Sequence, residues 1–232
     1  MAGMVNAMSR SRLENLNPER QRHLFDIAAQ EFAEVGYDGA SLNRIIKQSG
    51  MSKSSLYYYF DSKADLFTTT IERSATALLR EIGEFDVTKL TAETFWSEIE
   101  ALFRRAVVIL NGQPWYVRLG RLFYRLRGNP KQGAPTSKIF NAARLWTAGL
   151  VAKGQALGVV RSDLPVSLVI EALMGLGEAA DRWVVENWSE LSAEERLDIV
   201  GSLMEMFRRL AQPDLGSTSL QRAVERRGGD PG

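Results

Sequence analysis

The 232-residue chain has no cysteine and a single histidine, His23. Without cysteine there can be no disulfide, no thiolate zinc site and no thiol nucleophile. One histidine excludes a histidine-rich metal site and argues against a histidine-based catalytic triad. No glycine-rich phosphate loop is present either. These absences argue against an enzyme, and we expect no catalytic residues, no metal ion and no cofactor.

Long apolar runs are also missing. No stretch approaches the roughly 18 apolar residues that a transmembrane helix needs, and the opening segment MAGMVNAMSRSR lacks the apolar core of a secretory signal. We therefore expect a cytoplasmic protein with no membrane partner. The 45% hydrophobic and 25% charged fractions are typical of a globular chain with one or two domains.

The formal net charge of +1 conceals two blocks of opposite sign. Residues 101–162 contain eleven Lys or Arg and no Asp or Glu, whereas residues 163–198 contain nine acidic residues against two arginines. Either the two blocks pair with each other, or the basic block meets an anionic partner.

Nearly every periodic segment predicts a helix, and no convincing strand alternation is present, so we expect an all-α fold. Asn17 and Pro18 begin the first helix, Gly36 ends it, and residues 37–39 form a turn. Ser41, Ser52 and Ser62 cap the next three helices, the last with Asp65 in a capping box. The longer helices are predicted over 63–83, 91–111, 114–127, 136–157, 165–188 and 192–211.

Residues 41–60, SLNRIIKQSGMSKSSLYYYF, have the layout of a helix-turn-helix. Two short helices meet at Gly50, which can take the positive φ of a tight turn. Successive helical residues point about 100° apart, so three adjacent tyrosines cannot all be buried on one face. Over residues 39–63, four basic residues face Asp61 alone, which gives a local charge of about +3 that suits DNA.

The run FAEVGYDGAS, the helix-turn-helix ending in LYYYF and the following DSKADL together resemble the TetR/AcrR family of transcriptional regulators, over roughly residues 18–67. The resemblance implies a helix-turn-helix DNA-binding domain over 18–63 and a helical ligand-binding and dimerisation domain over 64–212. We expect a flexible basic arm at 1–17 and a flexible tail at 213–232.

The family's DNA-contacting positions can be carried onto this sequence residue by residue. Tyr57, Lys63 and Ser41 match phosphate-contacting positions, and Tyr59 stands where the family often has histidine. Lys53 and Ser54 match positions that read bases, whereas we expect Tyr58 to pack against the first or fourth helix. The expected DNA-binding set is Ser41, Asn43, Arg44, Lys53, Ser54, Ser55, Tyr57, Tyr59 and Lys63.

Two departures from the family pattern leave the operator sequence unpredicted. Ile45-Ile46 replaces a common Ile-Ala, and Ser54 occupies a position that is often glycine. In the leading arm, Arg10 and Arg12 either reach DNA, as other basic arms do, or belong to a solvated tail.

In the carboxy-terminal half, the resemblance implies that the last two long helices pair with a second subunit, so that a homodimer reads a near-palindromic operator. The expected dimer interface is Leu173, Ala180, Val184, Val200, Leu203 and Phe207. Aromatic and flexible residues on the central helices suggest an apolar ligand pocket, with core packing as the competing interpretation. The pocket candidates are Trp96, Phe103, Trp115, Leu119, Phe123, Trp146, Leu150 and Met174.

Arg118, Arg121 and Arg125 recur at helical spacing and form one stripe. Three interpretations of the stripe are open: it binds an anionic ligand such as an acyl thioester, it pairs with the acidic helices, or it is a solvated face. Our overall prediction is a repressor that binds double-stranded DNA and is released when a small effector binds. We expect this effector to be largely apolar, with an anionic group in one version of the prediction. The alternatives are an activator of the same fold, an architectural DNA-binding protein without a ligand, and an enzyme with a DNA-binding appendix.

Overall fold

The computed structural model describes Leu13, residues 16–126 and residues 134–213. These residues form an all-α fold, as predicted, with nine α-helices and two single-turn 3-10 helices at Val87–Lys89 and Trp188–Glu190. The α-helices are α1 (Pro18–Gly39), α2 (Leu42–Ser49), α3 (Lys53–Tyr59), α4 (Lys63–Ile82), α5 (Phe95–Gly112), α6 (Pro114–Leu126), α7 (Ala134–Ala156), α8 (Val166–Asn187) and α9 (Ala193–Ala211).

The predicted capping residues start the helices of the amino-terminal half. Asn17 accepts backbone hydrogen bonds at the start of α1, and Ser41 and Ser52 do the same for α2 and α3. Ser62 caps α4 by accepting from the Asp65 N–H at 3.1 Å. The Asp65 carboxylate in turn accepts from the Asp61 N–H, one residue before the partner that the predicted capping box requires.

Two glycines with positive φ shape the same region. Gly50 has φ 65° and ends α2, as the helix-turn-helix pattern predicts. Gly36 has φ 76° and ψ 175°, which are not helical, so it interrupts α1 at the predicted stop. The chain then makes one further helical turn to Gly39, where the sequence predicted a turn.

The amino-terminal core joins the helix-turn-helix to two longer helices. Leu24, Phe32, Ile45, Leu56 and Leu66 are buried in it at 0 or 1% exposure. It also takes in Phe67 and Ile71 of α4 and, from the far half of the sequence, Leu119 and Leu122 of α6. A movement of α4 or α6 is therefore transmitted directly to the helices that pack against α3.

The flexible arm that the sequence predicts over residues 1–17 does not extend as far as residue 17. Leu13 is 5% exposed and belongs to the amino-terminal core. The Gln21 side chain donates to the carbonyls of Leu13 and Leu16 at 2.7 and 2.8 Å. Packing and hydrogen bonds thus hold Leu13 and Leu16 against α1, while Arg10 and Arg12 lie outside the described residues.

A second core fills the carboxy-terminal half, between α5, α7, α8 and α9. Its buried members include Phe95, Val151, Val169, Val200 and Met204. The predicted helix boundaries in this half agree with the structure to within a few residues, because glycine and proline mark most of the breaks.

Polar contacts connect α4 to the neighbouring helices. The Glu81 carboxylate accepts hydrogen bonds from Gln113 at 2.7 Å and from the Tyr116 hydroxyl at 3.1 Å. Burial and the adjacent Glu81 charge raise the pKa of Tyr116 to about 12. Arg105 of α5 donates to the Ile82 carbonyl at the end of α4. The carboxyl end of α4 is thus fastened to both α5 and α6.

No described helix combines the length and the apolar character needed to cross a membrane. Within the same residues, His, Asp and Glu side chains nowhere assemble into a group of three that could hold a metal ion.

Candidate functional site

The exposed face of α3 carries the groups expected to meet DNA. Lys53, Ser54 and Tyr57 are exposed, while Leu56 on the opposite face is 1% exposed and anchors the helix in the core. The Ser52 hydroxyl lies 3.0 Å from that of Ser54 and donates to that of Ser55 at 2.9 Å. A cation, a hydroxyl cluster and a phenol therefore share one accessible surface, as phosphate and base-edge contacts require.

The structure differs from the prediction in which tyrosines are exposed and which are packed against protein. Tyr58, which was predicted to pack against protein, is 56% exposed, more than Tyr57 at 47%. Tyr59 is half-buried and packs against the amino-terminal core, with its ring 5.1 Å from that of Tyr58. The reason is helical geometry, since position 59 lies three residues after buried Leu56 and shares its face. The solvent-facing pair is thus Tyr57 and Tyr58.

The Arg44 side chain links α2 to α1 by hydrogen bonds. Its guanidinium donates to the Glu31 carboxylate at 2.5 to 3.1 Å and to the Gly39 carbonyl at 2.9 Å. Glu31 also accepts from the Ser41 N–H at 2.7 Å. Burial alone would raise the pKa of Glu31, but the hydrogen bonds from Arg44 and Ser41 outweigh it and hold the pKa below its usual value.

Lys63 likewise has partners within the chain. Its ammonium donates to the carbonyls of Asp38 and Ala40, both at 3.1 Å, and lies 4.8 Å from the centre of the Tyr37 ring. These contacts bind the start of α4 to the end of α1. An ammonium has three N–H donors, so one remains for a phosphate. Asn43 is exposed on α2, and Ser41 is half-buried as its cap.

A cavity of about 380 Å³ lies among α5, α7, α8 and α9 in the carboxy-terminal half. Five of the eight predicted pocket residues line it, namely Trp96, Phe103, Trp146, Leu150 and Met174. The other three were wrongly placed. Leu119 is buried in the amino-terminal core, and Trp115 and Phe123 pack against that core, because α6 turns this face toward α1.

Three titratable residues of the cavity wall were not predicted from the sequence: Tyr124, Glu178 and Asp181. Desolvation by the surrounding protein atoms raises the pKa of Asp181 to about 6, although the open cavity leaves the side chain accessible. A 3.3 Å hydrogen bond from the Tyr124 hydroxyl partly opposes that rise in pKa. Asp181 follows the predicted pocket residue Met174 by seven residues, or two helical turns, so this spacing could have identified the acid.

The arginine stripe on α6 does not enter this cavity. Arg118 is exposed. Arg121 donates to the Val185 carbonyl of α8 and to the Ser189 hydroxyl. Arg121 and Arg125, with Tyr124, Arg182 and Glu186, line a smaller adjoining pocket of about 250 Å³. The basic block does pair with the acidic one elsewhere, through Arg144 of α7 and Glu171 of α8.

The expected dimer residues are not all available to a partner. Val200 is 7% exposed in the second core, and Leu173 and Phe207 line the cavity. These three face into the protomer, so their assignment to the interface is wrong. Val184 packs beside the same core, whereas Ala180 and Leu203 are half-buried. The large apolar residues exposed on this side are Leu164, Val166, Leu168, Trp183 and Met206.

Residues 24–69, which span most of α1 through the start of α4, match the family model for bacterial regulatory proteins of the tetR family. By this match residues 24–69 form a DNA-binding domain of the TetR family. The family consists of DNA-binding transcription regulators and not of enzymes, in agreement with the sequence analysis.

Curated relatives in the TetR family resemble the chain over its amino-terminal part. The HTH-type transcriptional regulator AcrR of Shigella flexneri is 32% identical over 69 residues, which are 30% of each chain. The negative regulator IcaR of the biofilm operon in Staphylococcus aureus (strain Newman) is 41% identical over 49 residues, 21% of this chain and 26% of that protein. The matched segment thus spans less than a third of these relatives.

A solved TetR-type fold covers most of the chain. The crystal structure of the transcriptional regulator FadR from Bacillus subtilis, in complex with stearoyl-CoA, superposes with a TM-score of 0.67 at 19% identity. The match covers 80% of this chain and 96% of that one. At this identity the likeness concerns the fold, including the helical carboxy-terminal half.

Proposed function

We propose that this TetR-family chain is a homodimeric, ligand-responsive transcriptional repressor that binds a near-palindromic operator. The observation that carries the proposal is the exposed face of α3, where Lys53, Ser54 and Tyr57 stand together within the segment that matches the TetR model. A helix of this kind inserts in the major groove, where side chains on one face read bases and grip phosphates.

Within this surface we assign different tasks to the residues. Lys53 and Ser54 read base edges, and Tyr57 and Tyr58 donate to phosphates on either side of the groove. Ser55, Ser41 and Asn43 supply further polar contacts at the ends of α2 and α3. Tyr59 packs behind the surface and sets the position of its neighbours.

Arg44 and Lys63 act mainly as positioning residues. Each forms hydrogen bonds to the end of α1 or its buried Glu31, so each fixes the angle at which α3 is presented. We retain a phosphate contact for Lys63 through its remaining N–H, beside the amino terminus of α4.

The effector occupies the apolar cavity and acts through α4. This helix contributes Leu66 and Phe67 to the amino-terminal core and ends in contacts with Arg105, Gln113 and Tyr116 around the second half. Effector binding that displaces α5 or α6 therefore changes the spacing of the two α3 helices in the dimer. Repression is relieved when the effector prefers the state that does not fit DNA, with a typical coupling of about 1–3 kcal/mol.

Selection of binding sites from random DNA, followed by fluorescence anisotropy on the enriched sequence, tests the proposal. We expect one near-palindromic sequence to be bound far more tightly than a scrambled duplex of equal length. Lys53→Ala should weaken binding and reduce its salt dependence, because a cationic contact is lost. Lys89→Ala, an exposed lysine outside the DNA-binding domain, is the matched control.

Two outcomes would contradict the proposal. Equal and steeply salt-dependent binding to every duplex would identify an architectural DNA-binding protein. Tight binding that requires the effector would identify a regulator that needs its ligand, and a promoter fused to a reporter gene then decides between repression and activation.

An acyl thioester is a second candidate effector. The relative from Bacillus subtilis was crystallised with stearoyl-CoA. In this chain Tyr124 lines both the apolar cavity and the pocket with Arg121 and Arg125. An acyl chain in the cavity would place its anionic end near those arginines. Titration with palmitoyl-CoA and with palmitoyl-pantetheine, which lacks the phosphates, tests this; equal or absent binding contradicts it.

A further inference from the structure

The polar wall of the cavity carries negative charge. Asp181 and Glu178 line it from α8, and no Lys or Arg of the described residues contributes to the lining. The remaining titratable group is Tyr124 from α6. The lining that α5, α7 and α9 contribute is apolar apart from Thr147, and the rings of Trp96 and Trp146 belong to it.

Asp181 is the acid best placed to meet a ligand. Among the described residues, its carboxylate has one hydrogen-bond partner, the Tyr124 hydroxyl, at 3.3 Å. The side chain is accessible from the open cavity, so a cationic ligand can reach it and form a charge-assisted hydrogen bond. The cavity therefore offers an accessible anionic acceptor beside a largely apolar volume.

From this geometry, and resting on the proposed function, we propose that the effector is a lipophilic cation, in which a protonated amine binds Asp181 and an apolar or aromatic body fills the cavity. The tryptophan rings add to the preference, since aromatic faces attract cations. The volume of about 380 Å³ lies within the usual range of small-molecule sites.

This assignment is distinct from the acyl thioester candidate, which places an anionic group at Arg121 and Arg125. An anionic head inside the cavity meets the Asp181 carboxylate, and like charges at short range disfavour binding. The adjoining pocket is itself of mixed sign, because Glu186 lies beside its three arginines. The charge of the head group therefore discriminates between the two candidates.

Isothermal titration calorimetry at pH 7.5 with three ligands of equal chain length tests the inference: decylamine, decanol and decanoate. We expect decylamine to bind about ten-fold more tightly than decanol, because a charge-assisted hydrogen bond replaces a neutral one. Decanoate should bind most weakly. Quenching of tryptophan fluorescence accompanies binding at the cavity, where Trp96 and Trp146 lie.

Two variants locate the effect. Asp181→Asn should remove the preference for decylamine over decanol, since the shape is kept and the charge is lost. Asp198→Asn, an exposed aspartate of α9 that does not line the cavity, should leave the preference unchanged.

Three results would overturn the inference: decanol or decanoate binding as tightly as decylamine, tighter binding of palmitoyl-CoA than of any of the three, or an unchanged preference in Asp181→Asn. Absence of binding by all three ligands would overturn it as well. Operator binding by the ligand-free protein is measured separately, so these failures leave the DNA-binding proposal standing or falling on its own result.

Discussion

Glu31 and Asp181 are two carboxylates that the fold treats in opposite ways. Glu31 is 7% exposed and accepts hydrogen bonds from Arg44 and Ser41, so its charge is stabilised. Asp181 faces apolar groups and has one weak donor, so its charge is disfavoured. The first residue serves the folding of the DNA-binding half, and the second is available to a ligand.

The ion pair of Glu31 leads to a prediction about stability. Glu31→Gln should lower the free energy of unfolding by about 2 kcal/mol at pH 7, the usual scale for hydrogen bonds to a charged group. The pKa of Glu31 is lowered in the folded state, so the wild-type advantage is present above the unfolded value of 4.5 and is lost as pH falls through the folded pKa. Urea unfolding at pH 7 and pH 3 measures this; Glu34→Gln, exposed on the same helix, is the control.

Asp181 predicts the reverse dependence on pH. Its folded pKa of about 6 lies above the unfolded value of 3.8, so protonation favours the folded state, and this contribution is lost as pH rises from about 4 to 6. Asp181→Asn removes a charge that the folded state disfavours and should raise Tm relative to wild type above pH 6. The other titratable groups facing the cavity are Tyr124 and Glu178. A Tm difference that does not grow between pH 4 and pH 7 would contradict the prediction.

At the scale of elements, neighbouring side chains pack directly against the backbone of helix α7 at one of its glycines. Gly154 is buried on α7, and a Cβ there would collide with Val160 and with the Phe95 ring. Gly149, five residues earlier on the same helix, is exposed with nothing within 4 Å of such a Cβ. The first glycine is required by packing, and the second only reduces helix stability.

These two glycines form a matched pair. Gly154→Ala should destabilise the protein by about 1–3 kcal/mol through overpacking. Gly149→Ala should stabilise it by about 0.5–1 kcal/mol, because alanine has the higher helix propensity. Chemical denaturation of both variants under identical conditions is the measurement. Equal effects of the same sign would mean that Gly154 is not a tight packing site.

At the scale of the whole molecule, one side of α8 and α9 lacks a partner in the protomer. On α8, Leu168, Gly175, Ala179 and Trp183 are exposed and recur at helical spacing, and Met206 is exposed on the adjacent α9. An apolar stripe with small residues at its centre is suited to close packing against a second copy. We propose this stripe as the dimer interface, in place of Leu173, Val200 and Phe207.

Trp183→Glu should therefore convert the dimer to a monomer at micromolar concentration, because it places a charge in a buried apolar contact. The monomer should lose most of its affinity for a palindromic operator, since the two α3 helices are no longer linked. Val108→Glu, at an apolar position of α5 that is 58% exposed, is the control. Sedimentation velocity checks the prediction, and an unchanged dimer would exclude this face.

The sequence by itself determined the all-α fold, most of the helix boundaries and the helix-turn-helix, because these features depend on local periodicity, capping side chains and glycines such as Gly50. It also placed Lys53, Ser54 and Tyr57 on an outward face, since one short helix allows a single register once Leu56 is buried.

Tertiary structure decided which face of each helix meets which neighbour. It engaged Arg44 and Lys63 with the end of α1, and it buried Val200 within the protomer. It also directed Leu119 into the amino-terminal core and Asp181 toward the cavity. Helical periodicity shows that residues share a face, but only the packing of distant segments determines whether that face meets the core, a cavity or a partner.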